Sequence, residues 1–322
     1  MDTRPSKILI IRFSSFGDII QALGVTKPLK NRYPNAQIDW LTKTEFSPLV
    51  ESSAYVHQTV PFDRKEGLLG LIRLARSLRQ ENYDLVYDAH ANLRSLVLRK
   101  VLGLFSSIRI IKRPKSRWRR FLLFKLRINT FPWPFKGMLS FLRPLMEAGV
   151  LKESDQFQTV QKLEFPVDLE GELSQVNLDV SSPFLAIAPS AAWEMKRWPL
   201  EHWKEFIQLF EKKCPDVPVA ILGGPQDAFC EELAKVGQNT VNLAGRLSLL
   251  GSCEAVKRAT LLVSADTGLI HVADLLGRPG ISLIGPTAFG FPTNPQIQLE
   301  SVELSCRPCT KDGRGRCIQD VY

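Results

Sequence analysis

Hydrophobic and polar positions in the first half of the chain alternate between two patterns. Short aliphatic and β-branched runs predict strands, and apolar residues that recur every three to four positions predict helices between them. The predicted strands cover residues 7–12, 37–42, 56–60, 85–88 and 107–111, and the clearest helices cover 19–32, 68–80 and 93–104. Apolar strands separated by helices are typical of a parallel sheet that is covered on both faces.

The same alternation begins again after a polar, acidic stretch at residues 164–179. Strands are predicted at 184–188, 218–222, 261–264 and 280–284, and helices at 200–213, 227–236, 249–259 and 268–276. This pattern predicts an α/β fold with two Rossmann-like, doubly wound parallel-sheet domains, joined near residue 175 and facing each other across a cleft. We expect an N-terminal domain over residues 1–170 and a C-terminal domain over 171–322, with a tail that returns towards the first domain.

The composition is that of an ordinary globular protein, with 322 residues, 44% of them hydrophobic and 23% charged. No stretch approaches the roughly 18 uninterrupted apolar residues of a membrane-spanning helix. Residues 1–7 lead directly into an apolar strand, without the hydrophobic region or the small-residue cleavage site of a signal peptide. We therefore expect a cytoplasmic protein whose six cysteines are reduced.

The positive charge is concentrated in one segment of the chain. Of the 42 lysine and arginine residues, eleven lie within residues 109–143, which contain no aspartate or glutamate. The rest of the chain carries 31 basic and 33 acidic residues, so the whole basic excess lies in this segment. A nucleic-acid-binding domain would more often spread its basic residues over one face, and we expect no nucleic-acid partner.

Three cysteines lie close together near the end of the sequence, Cys306, Cys309 and Cys317. They could be metal ligands, but a closed zinc site has four ligands, and no histidine or further cysteine lies nearby in sequence. Packed thiols are the alternative, and we favour it. We therefore predict no metal site.

The loops that follow strands carry the candidate chemistry, because doubly wound sheets bind ligands at the carboxyl ends of their strands. The first such loop, residues 14–18, reads Ser-Ser-Phe-Gly-Asp and lacks the Gly-x-Gly-x-x-Gly dinucleotide fingerprint. Asp18 is predicted at the N-cap of the next helix, a role worth about 1 kcal/mol. The alternative role is that of a general base, which is worth about 10²–10⁴ in rate.

A second loop, residues 189–199, follows the first strand of the second half. It brings Lys196 and Arg197 ahead of a helix whose start is marked by Pro199. A lysine beside a helix N-terminus suits a diphosphate. The alternative is a solvated basic pair beside a packed tryptophan.

A third loop, residues 264–271, ends a strand and opens another helix. Asp266 or Thr267 is predicted to cap this helix, and the amides that follow form a nest for phosphate oxygens. His271 lies one turn further along, either near that anion or as a core histidine bonded to backbone. A fourth loop, residues 285–287, could add a wall to the same pocket.

Seven motifs in chain order resemble those of the ADP-heptose lipopolysaccharide heptosyltransferases, glycosyltransferase family 9, which have the GT-B fold. They lie at residues 12–18, 88–95, 196–199, 242–245, 266–273, 276–279 and 285–287. The resemblance covers nearly the whole length, and Asp-Thr-Gly-Leu-Ile-His at 266–271, followed by Gly-Arg-Pro and Gly-Pro-Thr, is its most specific part.

The resemblance implies an inverting, metal-independent transfer of L-glycero-D-manno-heptose from ADP-heptose to the Kdo and heptose inner core of lipid A, with no cofactor besides the donor substrate. Asp18 is similar to the base that deprotonates the acceptor hydroxyl, and Lys196 to the residue that neutralises the departing diphosphate. Donor contacts are expected from Ser190, Ala191, Ala192, Lys196, Arg197, Gly245, Asp266, Thr267, Gly268 and His271. Acceptor contacts are expected from Ser15, Gly17, Arg64, Lys65, His90, Arg117, Arg119 and Arg120.

The basic segment then predicts a membrane-interface surface for an anionic lipid acceptor. Aromatic and aliphatic residues recur at helical spacing among its arginines, namely Trp118, Phe121, Leu122 and Leu126. Phe131, Pro132, Trp133, Pro134 and Phe135 follow and belong to the same predicted surface. Basic residues suit lipid head groups and aromatic residues suit the boundary of the bilayer. We expect peripheral association with the inner membrane of a Gram-negative bacterium; a helix packed on the N-terminal sheet with a solvated basic face is the alternative.

Other functions fit the same fold. The chain could use another sugar nucleotide or acceptor, or it could be a lipid-surface-binding relative without catalysis, which would release no ADP. A nicotinamide-dependent dehydrogenase is disfavoured, because the glycine fingerprint is missing.

Overall fold

The structure is a computed structural model, and it describes residues 5–104, 106–174, 176 and 178–317. The chain divides into two compact units. The first contains the residues up to Arg117 together with Met138–Glu164, and the second contains Trp118–Gly137 together with the residues from Phe165 onwards. The join predicted near residue 175 falls on a position outside the described residues.

The first unit is built on a five-stranded parallel sheet in the order β3-β2-β1-β4-β5. The strands are β1 (Lys7–Ile11), β2 (Gln37–Lys43), β3 (Gln58–Phe62), β4 (Leu85–Asp88) and β5 (Arg109–Lys112). The helices are α1 (Phe16–Leu23), α2 (Thr26–Arg32), α3 (Ser47–Glu51), α4 (Gly67–Gln80), α5 (Leu93–Leu102), then α6 (Arg117–Leu126), which leads into the second unit, and α7 (Leu139–Glu147). Short 3₁₀ turns lie at Thr44–Phe46, Arg64–Glu66 and Glu153–Phe157.

The apolar sequence of β1 explains its central position in this sheet. It reads Lys-Ile-Leu-Ile-Ile, and its four aliphatic side chains are buried. A run without alternating polar positions fits a strand that is covered on both faces. On one face, Leu9 and Ile11 pack in a cluster with Leu71 of α4 and Leu98 of α5.

The second unit is built on a six-stranded parallel sheet in the order β11-β10-β9-β6-β7-β8. The strands are β6 (Leu185–Ala188), β7 (Val219–Ile221), β8 (Thr240–Asn242), β9 (Leu261–Ala265), β10 (Gly280–Leu283) and β11 (Ile297–Glu300). The helices are α8 (Leu169–Glu172), α9 (Leu200–Lys213), α10 (Phe229–Ala234), α11 (Leu249–Arg258) and α12 (Gly268–Leu276), and a 3₁₀ turn lies at Glu194–Lys196. Trp203 and Ile207 of α9 pack on β6 and β7 in the core.

The predicted fold class is confirmed, since both sheets are parallel and doubly wound. In each sheet the strand order reverses beside a central pair, β1 and β4 in the first and β6 and β9 in the second. Such reversal points are where open α/β sheets bind ligands. The loops after these four strands therefore lie at the two most favourable positions for a site.

Several element boundaries differ from the prediction. The helix predicted at 19–32 is two helices, α1 and α2, which meet at Gly24, where a Cβ atom would lie 2.5 Å from the side chain of Met138. The predicted strand 56–60 lies two residues later, the strand 107–111 is observed at Arg109–Lys112, and the helix 227–236 is shorter. Strands β8 and β11 and helices α3, α7 and α8 were not predicted.

The division of the chain differs from domains at 1–170 and 171–322. Trp118–Gly137 groups with the second unit, and the first unit ends at Glu164. The reason is aromatic packing: the ring of Phe289 contacts the rings of Phe131 and Phe135, with centroids 5.1 Å and 5.0 Å away. Gly137 also donates a backbone hydrogen bond to the carbonyl of Phe291 at 2.9 Å.

Among the described residues, no helix has both the length and the apolar character that crossing a bilayer would require.

Candidate active site

In the first unit the loops after β1 and β4 lie side by side, because the two strands pair directly from Ile8–Leu85 to Ile11–Asp88. The β1 loop carries Asp18 at the third position of α1, and the N-cap is Ser15. The prediction that Asp18 is itself an N-cap was therefore wrong. Ser15 and Asp18 form a capping box, in which the Ser15 hydroxyl donates to the Asp18 carboxylate at 2.9 Å.

Asp18 also forms an ion pair with a buried arginine that the sequence did not single out. Arg12 Nη2 lies 2.6 Å from Asp18 Oδ2, and the side chain of Asp18 remains 41% exposed. Nη1 of Arg12 donates to the carbonyl of Ala89 in the β4 loop at 2.9 Å. Arg12 thus connects the β1 and β4 loops and fixes the position of Asp18 Oδ2. Solvent still reaches the carboxylate of Asp18.

Opposing effects set the protonation of Asp18. Burial alone would raise its pKa, but Arg12, the Ser15 hydroxyl and Arg113 together outweigh burial and lower the pKa below the usual value. Asp18 is therefore a carboxylate at neutral pH. It is able to accept a proton, but it does not hold one in the resting state.

His90 lies in the same part of the first unit. Its ring packs edge-on against Phe13, with centroids 5.4 Å apart. Burial and the charge of Arg12 lower its pKa to about 4, although Asp18 acts in the opposite direction. His90 is thus a neutral imidazole at neutral pH, and it can exchange hydrogen bonds without adding charge.

Buried Asp88 holds the β4 loop in place. One of its oxygens accepts from the backbone N–H groups of His90 and Ala91, at 3.1 Å and 2.7 Å. The other accepts from Arg99 Nε at 2.8 Å. This arrangement fixes the backbone of the loop that carries His90.

In the second unit, the loops after β6 and β9 meet at a buried ion pair. Lys196 Nζ lies 2.9 Å from Oδ2 of Asp266, which is only 5% exposed. The same oxygen accepts a hydrogen bond from the hydroxyl of Thr287 at 2.7 Å. Three of the four predicted loops therefore converge on Asp266, which orients the ammonium group of Lys196.

Helix α12 begins directly after Asp266. Thr267 is its N-cap, and the Thr267 hydroxyl accepts from the backbone N–H of Leu269 at 3.2 Å. Gly268 is the first helical residue, and His271 is buried one turn later. The positive end of the helix dipole and the Lys196 ammonium group thus lie in the same region, which favours an anion.

A second carboxylate, which the sequence analysis missed, organises the neighbouring β6 loop. Asp227 accepts from the hydroxyl of Ser190 at 2.5 Å and from the backbone N–H of Gly224 at 2.7 Å. Arg197 donates to the carbonyl of Ala191 at 3.0 Å, and its Nη2 lies 3.9 Å from Asp227. The sequence offered one indication of this role, because Asp227 follows β7, the strand that pairs with β6.

A comparison with known protein families decides the class of the chain. The sequence profile described as Glycosyltransferase family 9 (heptosyltransferase) matches residues 71–317, well over half of the chain. The chain belongs to glycosyltransferase family 9.

Individual relatives agree with this assignment. Lipopolysaccharide heptosyltransferase 1 of Pseudomonas aeruginosa is 26% identical, over 95% of this chain and 86% of its own length. Lipooligosaccharide heptosyltransferase 2 of Haemophilus influenzae is 28% identical, over 87% and 84% of the two chains. The solved structure of Escherichia coli ADP-heptose LPS heptosyltransferase II has a TM-score of 0.69 at 22% identity, over 94% of this chain and 92% of that one.

The remaining predicted donor residues of this family 9 chain lie in the second unit. Ala191 is buried and Ala192 is exposed in the β6 loop. Gly245 follows β8 with φ of 71°, and a Cβ atom there would lie 2.8 Å from the backbone of Pro225. Arg197 is turned towards Asp227 and the ring of Phe229, whereas Lys196 points to Asp266.

The predicted acceptor residues fall in both units. Ser15, Gly17 and His90 belong to the β1 and β4 loops, and exposed Arg64 and Lys65 lie on the turn after β3. Arg117 is the last residue assigned to the first unit before Met138. Arg119 and Arg120 belong to the second unit, where they lie over the rings of Phe131 and Phe289 at 4.4 Å and 4.5 Å.

The three late cysteines are half-buried. Burial raises the pKa of Cys309, and the neighbouring Cys306 raises it further. Within the part of the chain that the structure describes, no group of three or more histidine, cysteine, aspartate or glutamate side chains is arranged to hold a metal ion.

Proposed function

We propose that the chain transfers L-glycero-D-manno-heptose from ADP-heptose to the Kdo and heptose inner core of lipid A, with inversion at the anomeric carbon. The observation that carries the proposal is the ion pair of Lys196 and Asp266 beside the start of α12, in a chain that belongs to a heptosyltransferase family. The similar solved structure is that of an ADP-heptose LPS heptosyltransferase, which supports ADP-heptose as donor. The relatives are lipopolysaccharide and lipooligosaccharide heptosyltransferases, which supports an acceptor of that class.

Lys196 and the start of α12 would bind the diphosphate of the donor. As the bond between the anomeric carbon and the diphosphate oxygen breaks, negative charge grows on the leaving ADP. A lysine ammonium group and helix N-terminal amides stabilise that charge most strongly at the transition state. This lets the reaction proceed without a divalent metal ion.

Asp18 would act as the general base. The acceptor hydroxyl oxygen attacks the anomeric carbon, its proton passes to the Asp18 carboxylate, and ADP departs from the opposite face. Arg12 keeps Asp18 ionised and ready to accept the proton. Neutral His90 can hydrogen-bond the acceptor without competing for that proton.

The sugar of the donor could occupy a cavity of about 490 Å³ that Thr287 shares with Trp133 and Asn129. This volume lies within the range of roughly 300–1,000 Å³ that is typical of small-molecule pockets. The indole of Trp133, the amide of Asn129 and the hydroxyl of Thr287 provide both the apolar and the hydrogen-bonding groups that a sugar needs. All the lining residues belong to the second unit, as do Lys196 and Asp266.

The decisive experiment measures ADP release from ADP-heptose, with and without a Kdo-bearing lipid A acceptor. We expect acceptor-dependent release by the natural sequence, and a loss of about 10²–10⁴ in rate for Asp18→Ala. Mass spectrometry of the lipid product should show one added heptose. A fully active Asp18→Ala variant would show that Asp18 is not the general base. Release of nucleotide from a different sugar nucleotide, but not from ADP-heptose, would show that the proposed donor is wrong.

We also propose that the chain binds the membrane surface peripherally. On α6, Trp118 is 69% exposed and Phe121 45%, and their rings stack with centroids 5.4 Å apart. Leu126 and Trp133 are also more than half exposed, in a segment that carries basic residues and no acidic ones. Exposed aromatic residues and unbalanced positive charge together fit an anionic lipid surface.

Vesicle sedimentation tests the membrane proposal. We expect binding to vesicles rich in anionic phospholipid, weakened by salt, and weakened by Trp118→Ser with Phe121→Ser. The matched control is Leu68→Ser with Leu69→Ser, which removes two exposed apolar residues from α4 of the first unit. Equal loss in both double variants, or equal binding to neutral vesicles, would rule out a specific role for α6.

A further inference from the structure

The segment after β11 folds back onto the phosphate-binding loops of the second unit. The backbone N–H groups of Cys309 and Thr310 both donate to the carbonyl of Pro286, at 3.0 Å and 3.2 Å. Thr310 also forms a parallel bridge with Thr287. The backbone N–H of Gly313 donates to the Thr310 hydroxyl at 2.7 Å. Residues 309–313 therefore form a closed turn on the β10 loop, which we call the 309–313 turn.

Gly313 touches the stem of Lys196. A Cβ atom on Gly313 would lie 2.5 Å from Cγ and 2.8 Å from Cδ of Lys196, far inside van der Waals contact. These are middle atoms of the side chain, so moving them would swing the ammonium group that they carry. The backbone at Gly313 also has φ of 88°, which a residue with a side chain rarely adopts.

The contacts of the 309–313 turn form a continuous series that begins and ends at Lys196. Lys196 pairs with Asp266, Asp266 accepts from Thr287, and Thr287 bridges to Thr310. Thr310 accepts from Gly313, whose Cα packs on Lys196. Asp266 thus fixes the charged end of the lysine, and the turn fixes its stem.

A second contact holds the far side of the turn. The guanidinium group of Arg314 lies over the ring of Trp193, 4.5 Å from its centroid. Trp193 stands directly before the 3₁₀ turn Glu194–Lys196 that carries the lysine. The segment is therefore attached both to the β10 loop and to the β6 loop.

We propose that Gly313 and Thr310 are positioning residues for Lys196, and that the 309–313 turn confines the lysine to the conformation that meets the leaving diphosphate. This inference rests on the proposed function of Lys196. A catalytic group that is displaced by about 1 Å can lose orders of magnitude in rate, so confinement of a flexible lysine stem has a large kinetic consequence.

Two alanine substitutions in the same segment test the proposal. Gly313→Ala forces the stem of Lys196 to move, and we expect kcat to fall about tenfold, with a smaller rise in the donor KM. Gly315→Ala is the matched control, because Gly315 also has positive φ, 118°, but its Cβ atom would meet only Met195 Sδ at an ordinary 3.7 Å. The strained backbone lowers the stability of this variant but displaces no atom of Lys196, so we expect its kcat to remain within about twofold of the natural sequence. Thr310→Val, which removes only the accepting hydroxyl, should fall between them.

A double-mutant cycle separates positioning from general damage. In a Lys196→Ala background there is no stem to displace, so Gly313→Ala should have no further effect on turnover or on ADP affinity measured by calorimetry. Equal effects of Gly313→Ala and Gly315→Ala, or an undiminished effect of Gly313→Ala without Lys196, would overturn the proposal.

Failure of the proposed function gives a different result. If the natural sequence binds ADP but releases none from ADP-heptose, the donor assignment fails. The double-mutant cycle of Gly313→Ala and Lys196→Ala, measured through ADP affinity, then still decides the role of Gly313. If ADP does not bind at all, both proposals fail.

Discussion

Arg12 determines how Asp18 can act in catalysis. Burial makes the carboxylate less stable, and the guanidinium group of Arg12, 2.6 Å away, is the largest of the effects that together outweigh burial. Because the folded-state pKa lies below the unfolded value, ionised Asp18 stabilises the fold above that unfolded value. This contribution is lost as the pH falls through the lower folded-state pKa. Across neutral pH the base therefore stays in its active form.

Replacing Arg12 should make Asp18 titrate at higher pH. In Arg12→Gln, burial is opposed only by Ser15 and Arg113, so we expect the acid limb of the kcat/KM profile to move to higher pH. The measurement is the pH dependence of ADP release. Arg76→Gln, which removes an exposed charge from α4, is the control and should leave the limb unchanged. A limb that moves to lower pH in Arg12→Gln would contradict this account.

At Asp274, unlike Asp18, burial outweighs the effects that lower the pKa of the carboxyl group. It lies on α12, is 2% exposed, and accepts from the backbone N–H groups of Thr293 and Asn294 at 2.9 Å and 2.7 Å. These bonds tie α12 to the connection between β10 and β11. Burial raises the pKa of Asp274 to about 6 in spite of these bonds. At neutral pH the fold therefore carries a poorly solvated charge.

Asp274→Asn should stabilise the protein at neutral pH and have little effect in acid. The folded-state pKa lies above the unfolded one, so wild-type stability falls as the pH rises from about 4 to about 6, by about 3 kcal/mol in total. The amide keeps the accepting oxygen without the charge. We expect denaturant unfolding to give a larger gain at pH 8 than at pH 4.5. Asp216→Asn, at an exposed position, should show no such difference, and a pH-independent gain in Asp274→Asn would contradict the argument.

At the scale of elements, the sequence predicts best where apolar runs are long. Strands β1, β4, β6 and β9 were found because their residues are nearly all buried. Strand β8 has three half-buried residues, and β11 alternates on an edge of the sheet, so neither has a distinct pattern. At the break between α1 and α2, a Cβ atom on Gly24 would meet the side chain of Met138, which is more than a hundred residues away in sequence. That contact has no signal in the local sequence.

The segment 118–137 joins the second unit through contacts that the sequence does not reveal. Phe289 forms edge-to-face pairs with Phe124, Phe131 and Phe135. Arg127 donates to the carbonyls of Cys306 and Pro308, in the segment after β11. The aromatic residues that were read together as a membrane surface therefore divide into two sets. One set faces solvent and the other holds the segment in place.

Phe289→Ala should release this segment. The half-buried ring contributes about 2 kcal/mol of packing, somewhat less than a fully buried phenylalanine. We expect trypsin to cleave within residues 117–137 roughly thirtyfold faster, since cleavage there follows the open population. Mass spectrometry of the fragments measures the rate. Phe157→Ala, at a position that is 83% exposed in the first unit, should not change it. Unchanged cleavage in Phe289→Ala would mean that other contacts suffice to hold the segment.

At the scale of the whole molecule, the sequence predicts which loops form the site better than it predicts the ion pairs and hydrogen bonds between their residues. Asp18, Lys196 and Asp266 could be selected because they follow strands of doubly wound sheets, where ligands bind. Their partners could not, since Asp18 has many arginines available in the sequence and only the folded chain selects Arg12. The contact of Gly313 with the stem of Lys196 likewise depends on the folded chain, because these residues lie more than a hundred positions apart in sequence. The resemblance supplied roles for residues, and the structure supplies their contacts.

The two switch points lie in different units, so a nucleotide should protect only one of them. With ADP alone, we expect slower hydrogen exchange in loops 190–199 and 266–271 and in the 309–313 turn. At a hundred times the Kd the stabilisation is about 2.7 kcal/mol, or about a hundredfold in the exchange of amides that need the ADP site to open. Loops 12–18 and 88–92 should exchange as before, because they belong to the first unit and the residues proposed to bind the diphosphate belong to the second. The Lys196→Ala variant provides the control and should lose the protection at the same ADP concentration. Equal protection of loop 12–18 by ADP would mean that nucleotide binding also orders the base, and the division of donor and acceptor residues between the units would then be wrong.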